Sequence, residues 1–155
     1  MFDRKVKKDM RLYGSKILDS KEFHEALQQK HHMRASVGRH SIRVTEASLR
    51  MSYALEKLGV KTDRESLVVG GLCHDLGMLG RKEKYKNASE TCRQHPRDSV
   101  EMARRLAPEL SDKTKNMIES HMFPLNGKAP NSLEGAILTV ADKYVSVKDL
   151  VFGRK

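Results

Sequence analysis

Apolar residues recur along this chain mostly at intervals of three and four, and the alternation expected of a half-buried strand is nearly missing, so the pattern predicts an all-α fold. The segment "DSKEFHEALQQK" reads as a short amphipathic helix with Asp19 or Ser20 as its N-cap. Across residues 36–58, Val37, Val44, Met51, Leu55 and Leu58 trace one stripe of a long helix that Gly59 ends, and His40 falls on the same stripe. "TDRE" forms a capping box, with the Thr62 hydroxyl and the Glu65 carboxylate each placed to satisfy an orphan amide, and it launches a helix through "SLVVGGLCHD". Gly77 and Gly80 let the chain turn away, and the lysine-rich "GRKEKYKNASE" reads as an exposed connection. Pro96 suits a first helical turn, which places His95 at or just before a helix N-terminus. A further helix runs from about Ser111 to His121, where "HMFPLNGKAPN" breaks it. "NSLE", with Asn131 as cap, opens the last helix, whose apolar face of Leu138, Ala141 and Val145 has Asp142 as a close neighbour. The pattern therefore predicts about six helices.

No repeat, low-complexity tract or linker interrupts the 155 residues, and 38% hydrophobic content suffices for one core, so a single domain over 1–155 is expected. Residues 1–18 hold Arg4, Lys5, Lys7, Lys8 and Arg11 and read as a basic, solvated N-terminal arm. The net charge of +10 favours an anionic partner, either a small phosphorylated substrate or nucleic acid. Only 5% of residues are aromatic and tryptophan is absent, so a stacking platform for single strands is hard to build and nucleic acid is the less favoured of the two. No apolar stretch approaches the roughly 20 residues of a membrane span, and a soluble, cytoplasmic protein is expected. Cys73 and Cys92 are then reduced thiols, with Cys73 a buried residue rather than a sulfur ligand. His24, His31 and His32 lie in polar surroundings and read as solvated.

The remaining histidines are harder to place on water-facing surface. A histidine and a carboxylate turned toward a helical core cost free energy unless something compensates them, and a metal ion does so. His40, His74, Asp75 and Asp142 all fall on apolar faces or inward-turned helix ends, and imidazole plus carboxylate suits divalent zinc, iron, manganese or nickel. Taken singly, each has a plainer reading. His40 fits a hydrogen-bonded core histidine, Asp142 a partner for an arginine, His95 a helix cap and His121 an exposed helix end.

Taken together, "GRHSIRV", "LCHDLGM" and "VADKYVS" resemble the HD superfamily of metal-dependent phosphohydrolases, whose helical bundle carries a first histidine, an adjacent His-Asp pair and a distal aspartate. The resemblance covers about residues 36–150, the expected HD core, and is greatest to small bacterial members of the family. It implies that His40, His74, Asp75 and Asp142 ligate a first metal. It further implies that His95 in "CRQHPRDS" and His121 in "ESHMFP" ligate a second, with Asp75 bridging both as the catalytic carboxylate. The cyclic-dinucleotide branch is set apart, since its GYP signature is absent and Met78 stands where a lysine follows "HDLG". The implied reaction is attack on the phosphorus of a phosphomonoester or phosphodiester, such as a nucleotide, by a metal-bound hydroxide. Lys143 and Arg97 are candidates for holding phosphate oxygens and are equally credible as ordinary surface charges. A di-iron oxygenase on the same ligands, and a module that binds a nucleotide or RNA without hydrolysis, are the alternatives.

Overall fold

The computed structural model describes residues 2–30 and 35–152, and His31 and His32, expected in a solvated turn, lie outside them. Among the described residues there are eight α-helices and no strand: α1 (Asp3–Leu18), α2 (Lys21–Gln28), α3 (Val37–Lys57), α4 (Arg64–Cys73), α5 (Arg81–Lys84), α6 (Ala88–Leu106), α7 (Asp112–Ser120) and α8 (Leu133–Phe152). A single 3₁₀ turn, Leu76–Met78, joins α4 to α5. None of the described helices is long and apolar enough to cross a membrane.

Helix α4 is the centre, and α1, α3, α6, α7 and α8 all pack against it. Its sequence "RESLVVGGLC" has no polar stripe beyond the first turn, as suits a helix with neighbours on every side. Leu67, Val68 and Leu72 are wholly buried, each large side chain contributing about 1.5–3 kcal/mol of transfer free energy. Gly71 sets how closely α3 approaches, since a Cβ there would meet the Thr45 side chain at 2.3 Å and its Cα at 3.1 Å.

Two segments differ from the expected pattern, and they account for the extra helices. Residues 1–18 are not a solvated arm: α1 docks on α4 through Val6, Met10 and Ile17, all buried, while the lysines face water. Buried Asp9 accepts from the Tyr53 hydroxyl, and the Arg64 guanidinium lies 4.0 Å from the Tyr53 ring centre, tying α1, α3 and α4 together. Burial and the Asp9 carboxylate push the Tyr53 phenol up to about 12. The second segment is "GRKEKYKNASE", which contains α5 and the start of α6.

Ser20, Ser36 and Ser111 cap α2, α3 and α7 by accepting from Phe23, Arg39 and Thr114 amides. Elsewhere the caps move. Asp63, not Thr62, caps α4, because a carboxylate one residue on reaches the Ser66 amide at 3.1 Å while Thr62 pairs with Ser52. Ser132, not Asn131, accepts from the Gly135 amide at 3.0 Å at the start of α8. Helix α6 begins at Asn87, whose side chain accepts from Glu90, so Pro96 lies inside the helix and His95 in its middle. The proline removes the amide that the Cys92 carbonyl would otherwise accept from.

The 3₁₀ turn lies tight against α6. The Gly77 amide donates to Ser99 Oγ at 2.8 Å, and a Cβ at Gly77 would stand 2.3 Å from the His95 carbonyl oxygen and 2.6 Å from the Ser99 amide nitrogen. Both are backbone atoms that cannot swing aside. Gly77→Ala is therefore expected to destabilise the protein by about 2–3 kcal/mol, the upper part of the overpacking range, lowering Tm by about 4–12 °C. Thermal denaturation checks this, and a fall under 2 °C would contradict the close approach.

Candidate metal centre

Six side chains drawn from five places in the chain converge at one end of α4. His40 comes from the first turn of α3 and Asp142 from the middle of α8, where Leu138, Ala141 and Val145 bury the same face. His74 and His121 occupy equivalent positions as C-cap residues of α4 and α7. Each turns its Nδ1 back onto a carbonyl left over at its own helix end, Gly71 at 2.8 Å and Ile118 at 2.7 Å. Asp75 follows His74 at the head of the 3₁₀ turn, and His95 projects from α6 with its Nδ1 2.7 Å from the Thr91 carbonyl. All six are buried.

A carbonyl can only accept, so the Nδ1 atoms of His74, His95 and His121 carry the hydrogens and the Nε2 atoms of the neutral rings present lone pairs inward. The Nε2 atoms of His95 and His121 are 3.0 Å apart, and that of His74 is buried without a hydrogen bond. Opposed lone pairs at that distance require a proton or a cation between or beside them. The four histidines and two carboxylates therefore fit a metal-binding role on chemistry alone. Two groups have donor atoms within 4.8 Å of one another: His40, His74, Asp75 and Asp142 in one, Asp75, His95 and His121 in the other. Asp75 belongs to both because its oxygens are divided. Its Oδ1 lies 3.1 Å from His95 Nε2 and 3.4 Å from His121 Nε2, and its Oδ2 lies 3.4 Å from His74 Nε2 and 3.7 Å from His40 Nε2. Asp142 Oδ1 lies 2.9 Å from His40 Nε2 and 3.4 Å from His74 Nε2.

The same crowding sets the protonation of the metal-free centre. Burial opposes the imidazolium form of His74, but the carboxylates of Asp75 and Asp142 outweigh it and push this ring up to about 9. His40 is raised by the same balance. Burial and the neighbouring His74 and His95 hold His121 below its ordinary value, and the His40 hydrogen bond with the nearby His74 imidazole overcomes burial to hold Asp142 well below the usual carboxylate range. Cys73, beside His74 in sequence, is wholly buried and belongs to neither group of converging donors, and burial pushes its thiol up to about 12.

Sequence reading missed Asp149. It is buried on α8, its Oδ2 stands 3.4 Å from His40 Nδ1, and Arg43 pairs with its other oxygen. A signal was present, because Asp149 follows Asp142 by seven residues, two helical turns on one face. A carboxylate behind a ligating imidazole fixes the ring and raises its basicity. Asp149→Ala is expected to weaken metal binding about 10–100-fold. Competition against a chromophoric chelator reads this, and unchanged affinity would leave Asp149 only its pairing with Arg43.

Asp75, His95 and Asp142 face a pocket of about 700 Å³, with Met78, Tyr85, Met122 and Leu125 among its walls. Lys143 lies at its edge and donates from Nζ to the His121 carbonyl at 3.2 Å. Arg97 does not reach the pocket. It follows His95 by two residues, about 200° around α6, and is exposed on the outer side. His24 is exposed on α2.

Comparison with known proteins gives one assignment. The family model described as "HD domain" matches residues 37–146, from the first residue of α3 into α8, a span that holds all six converging side chains. Neither the curated proteins nor the solved structures returned a match. With more than two thirds of its length matched, including both ends of the histidine and aspartate cluster, the chain belongs to the HD domain family of metal-dependent phosphohydrolases.

Proposed function

We propose that this protein hydrolyses a phosphomonoester or phosphodiester, with two divalent ions held by His40, His74, Asp75 and Asp142 and by Asp75, His95 and His121. The observation that carries the reading is the division of Asp75 between two ligand groups at the floor of a pocket lined with cationic side chains. Iron, manganese, zinc or nickel suits these donors, and such ions supply an activated water at neutral pH and positive charge toward a phosphoryl group.

The chain's own residues supply the rest. Asp75 is the catalytic carboxylate, and its buried position holds its charge between the two sets of imidazoles. The backbone carbonyls behind His74, His95 and His121 fix the rings with Nε2 inward, so the donors are set before any ligand arrives. Lys143 is held at the pocket edge by the His121 carbonyl and presents an ammonium to a non-bridging phosphate oxygen. Met78 and Met122 cover part of the pocket with apolar surface, limiting water and strengthening these charge interactions.

Protein purified without chelator and loaded with Mn²⁺ should release phosphate from members of a phosphoester panel, and chelation should stop the release. Uptake of oxygen by iron-loaded protein with a polyol or phosphonate, with no ester cleaved, would replace this reading by an oxygenase. Salt-sensitive RNA binding with no ester cleaved would replace it by a binding module.

A further inference from the structure

The pocket is longer than one phosphate needs, and its far end is cationic. Asn87, Ala88, Thr91, Cys92 and His95 all line it, a spacing that places them on one face of α6. The pocket therefore runs along the first two turns of that helix. Eight residues at 1.5 Å each separate the Asn87 end from the His95 end by about 12 Å. At the His95 end lie the metal ligands and Lys143. Lys86 stands beside Asn87 in sequence at the far end, and Arg81 and Lys82 line the same pocket from α5.

Charge makes the asymmetry plain. Among the described residues the only carboxylates lining the pocket are Asp75 and Asp142, both members of the ligand groups. Some cations elsewhere have acidic partners, among them Arg43 with Asp149, Arg50 with Asp3, Arg64 with Glu56 and Lys128 with Glu119. Arg81, Lys82 and Lys86 form no such pair among the described residues. Three unneutralised cations facing one cleft repel each other, and an anion in the cleft turns that cost into attraction. One phosphate at the metal ligands leaves Lys86 unanswered, because it lies about two helical turns away along α6.

We infer that the substrate carries a second phosphate, separated from the reacting one by an organic body that lies along α6, and that Arg81, Lys82 and Lys86 bind this distal group. The inference takes its reacting phosphate from the hydrolase reading above. The distal contacts stand on the pocket itself. Cys92 lies between the two ends on α6, and apolar Met78 lines the same space, suiting the carbon skeleton of such a bisphosphate. The long arginine and lysine stems shorten the span that the ligand must cover.

The test compares 1,6-hexanediol bisphosphate with hexyl phosphate on the Mn²⁺-loaded protein, reading affinity by calorimetry and phosphate release in parallel. The bisphosphate should bind at least about tenfold more tightly, several-fold for each partly solvated charge pair. That preference should fall below about threefold in the Lys82→Ala/Lys86→Ala double variant. The Lys7→Ala/Lys8→Ala double variant on α1 makes the same change in net charge, exposed and away from the pocket, and should keep the preference. Equal affinity for the two esters in the wild type, or an equal loss in the α1 variant, would overturn the inference. Preference for the bisphosphate with no phosphate released from either ester would leave the distal site standing and overturn the hydrolase reading instead.

Discussion

Asp75→Ala is expected to remove both metal ions at once and to lower phosphoester turnover at least about a hundredfold, because the positive charge that stabilises the transition state goes with the ions. The reason is the division of its carboxylate, one oxygen toward His95 and His121 and the other toward His40 and His74. Among the described residues no other side chain belongs to both groups. His95→Ala or His121→Ala should instead reduce metal content from about two ions per chain to about one, because the other group keeps all four of its donors. Elemental analysis after loading separates these cases, and His24→Ala, exposed on α2, should retain both ions. Circular dichroism of each variant in chelator checks that the helices persist. A single ion retained by Asp75→Ala would show that the carboxylate serves one site only.

Removal of metal is expected to lower Tm by about 8–16 °C at neutral pH, since saturation a thousandfold above Kd adds about 4 kcal/mol and each kcal/mol moves a domain of this size by about 2–4 °C. The gap should depend on pH, with a sign that follows from His74. Its metal-free folded value, about 9, exceeds the unfolded value of 6.5, so its pairing with Asp75 and Asp142 stabilises the metal-free protein fully below 6.5 and is lost as pH rises through 9. A metal must displace that proton. Each proton displaced makes binding about 1.4 kcal/mol more favourable per pH unit, widening the gap between loaded and chelated protein by about 3–6 °C per unit from pH 6.5 to 9. Melting curves at pH 6.5, 7.5 and 8.5, with and without chelator, test this. A gap that stays constant or narrows over that range would mean that no ring proton is exchanged for metal.

Much of this centre was legible in the sequence because burying an imidazole or carboxylate is conspicuous against an apolar stripe. Helical spacing put His40 between Val37 and Val44 and Asp142 beside Ala141 on buried faces, while their grouping as ligands came from the resemblance to the HD superfamily. Helices α2, α3 and α7 were equally plain, since serine caps and apolar periodicity agree there. The errors have physical causes. In α1 six cations masked the Val6, Met10 and Ile17 stripe, although lysine and arginine stems are compatible with a docked helix whose other face is wet. At Pro96 a residue favoured in first turns was taken to mark one, whereas the Asn87 cap nine residues earlier fixes the start of α6. Arg97 was grouped with His95 by proximity along the chain, which a helix converts into opposite faces. Asp149 escaped because its partner, His40, is 109 residues away.

That last separation has a consequence for how the protein comes to hold its metal. His40 and Asp142, which meet at 2.9 Å, are 102 residues apart, and every ligand group draws on at least three distant segments. In a zinc finger a short loop presents its ligands together and the ion drives folding. Here the apolar packing of α4 with its neighbours must already have closed long loops before the donors share one space. On the proposed metal-binding reading, metallation follows folding, and the α6 pocket gives the ion its way in. A cell starved of the ion would accumulate folded, empty protein that can be activated without refolding.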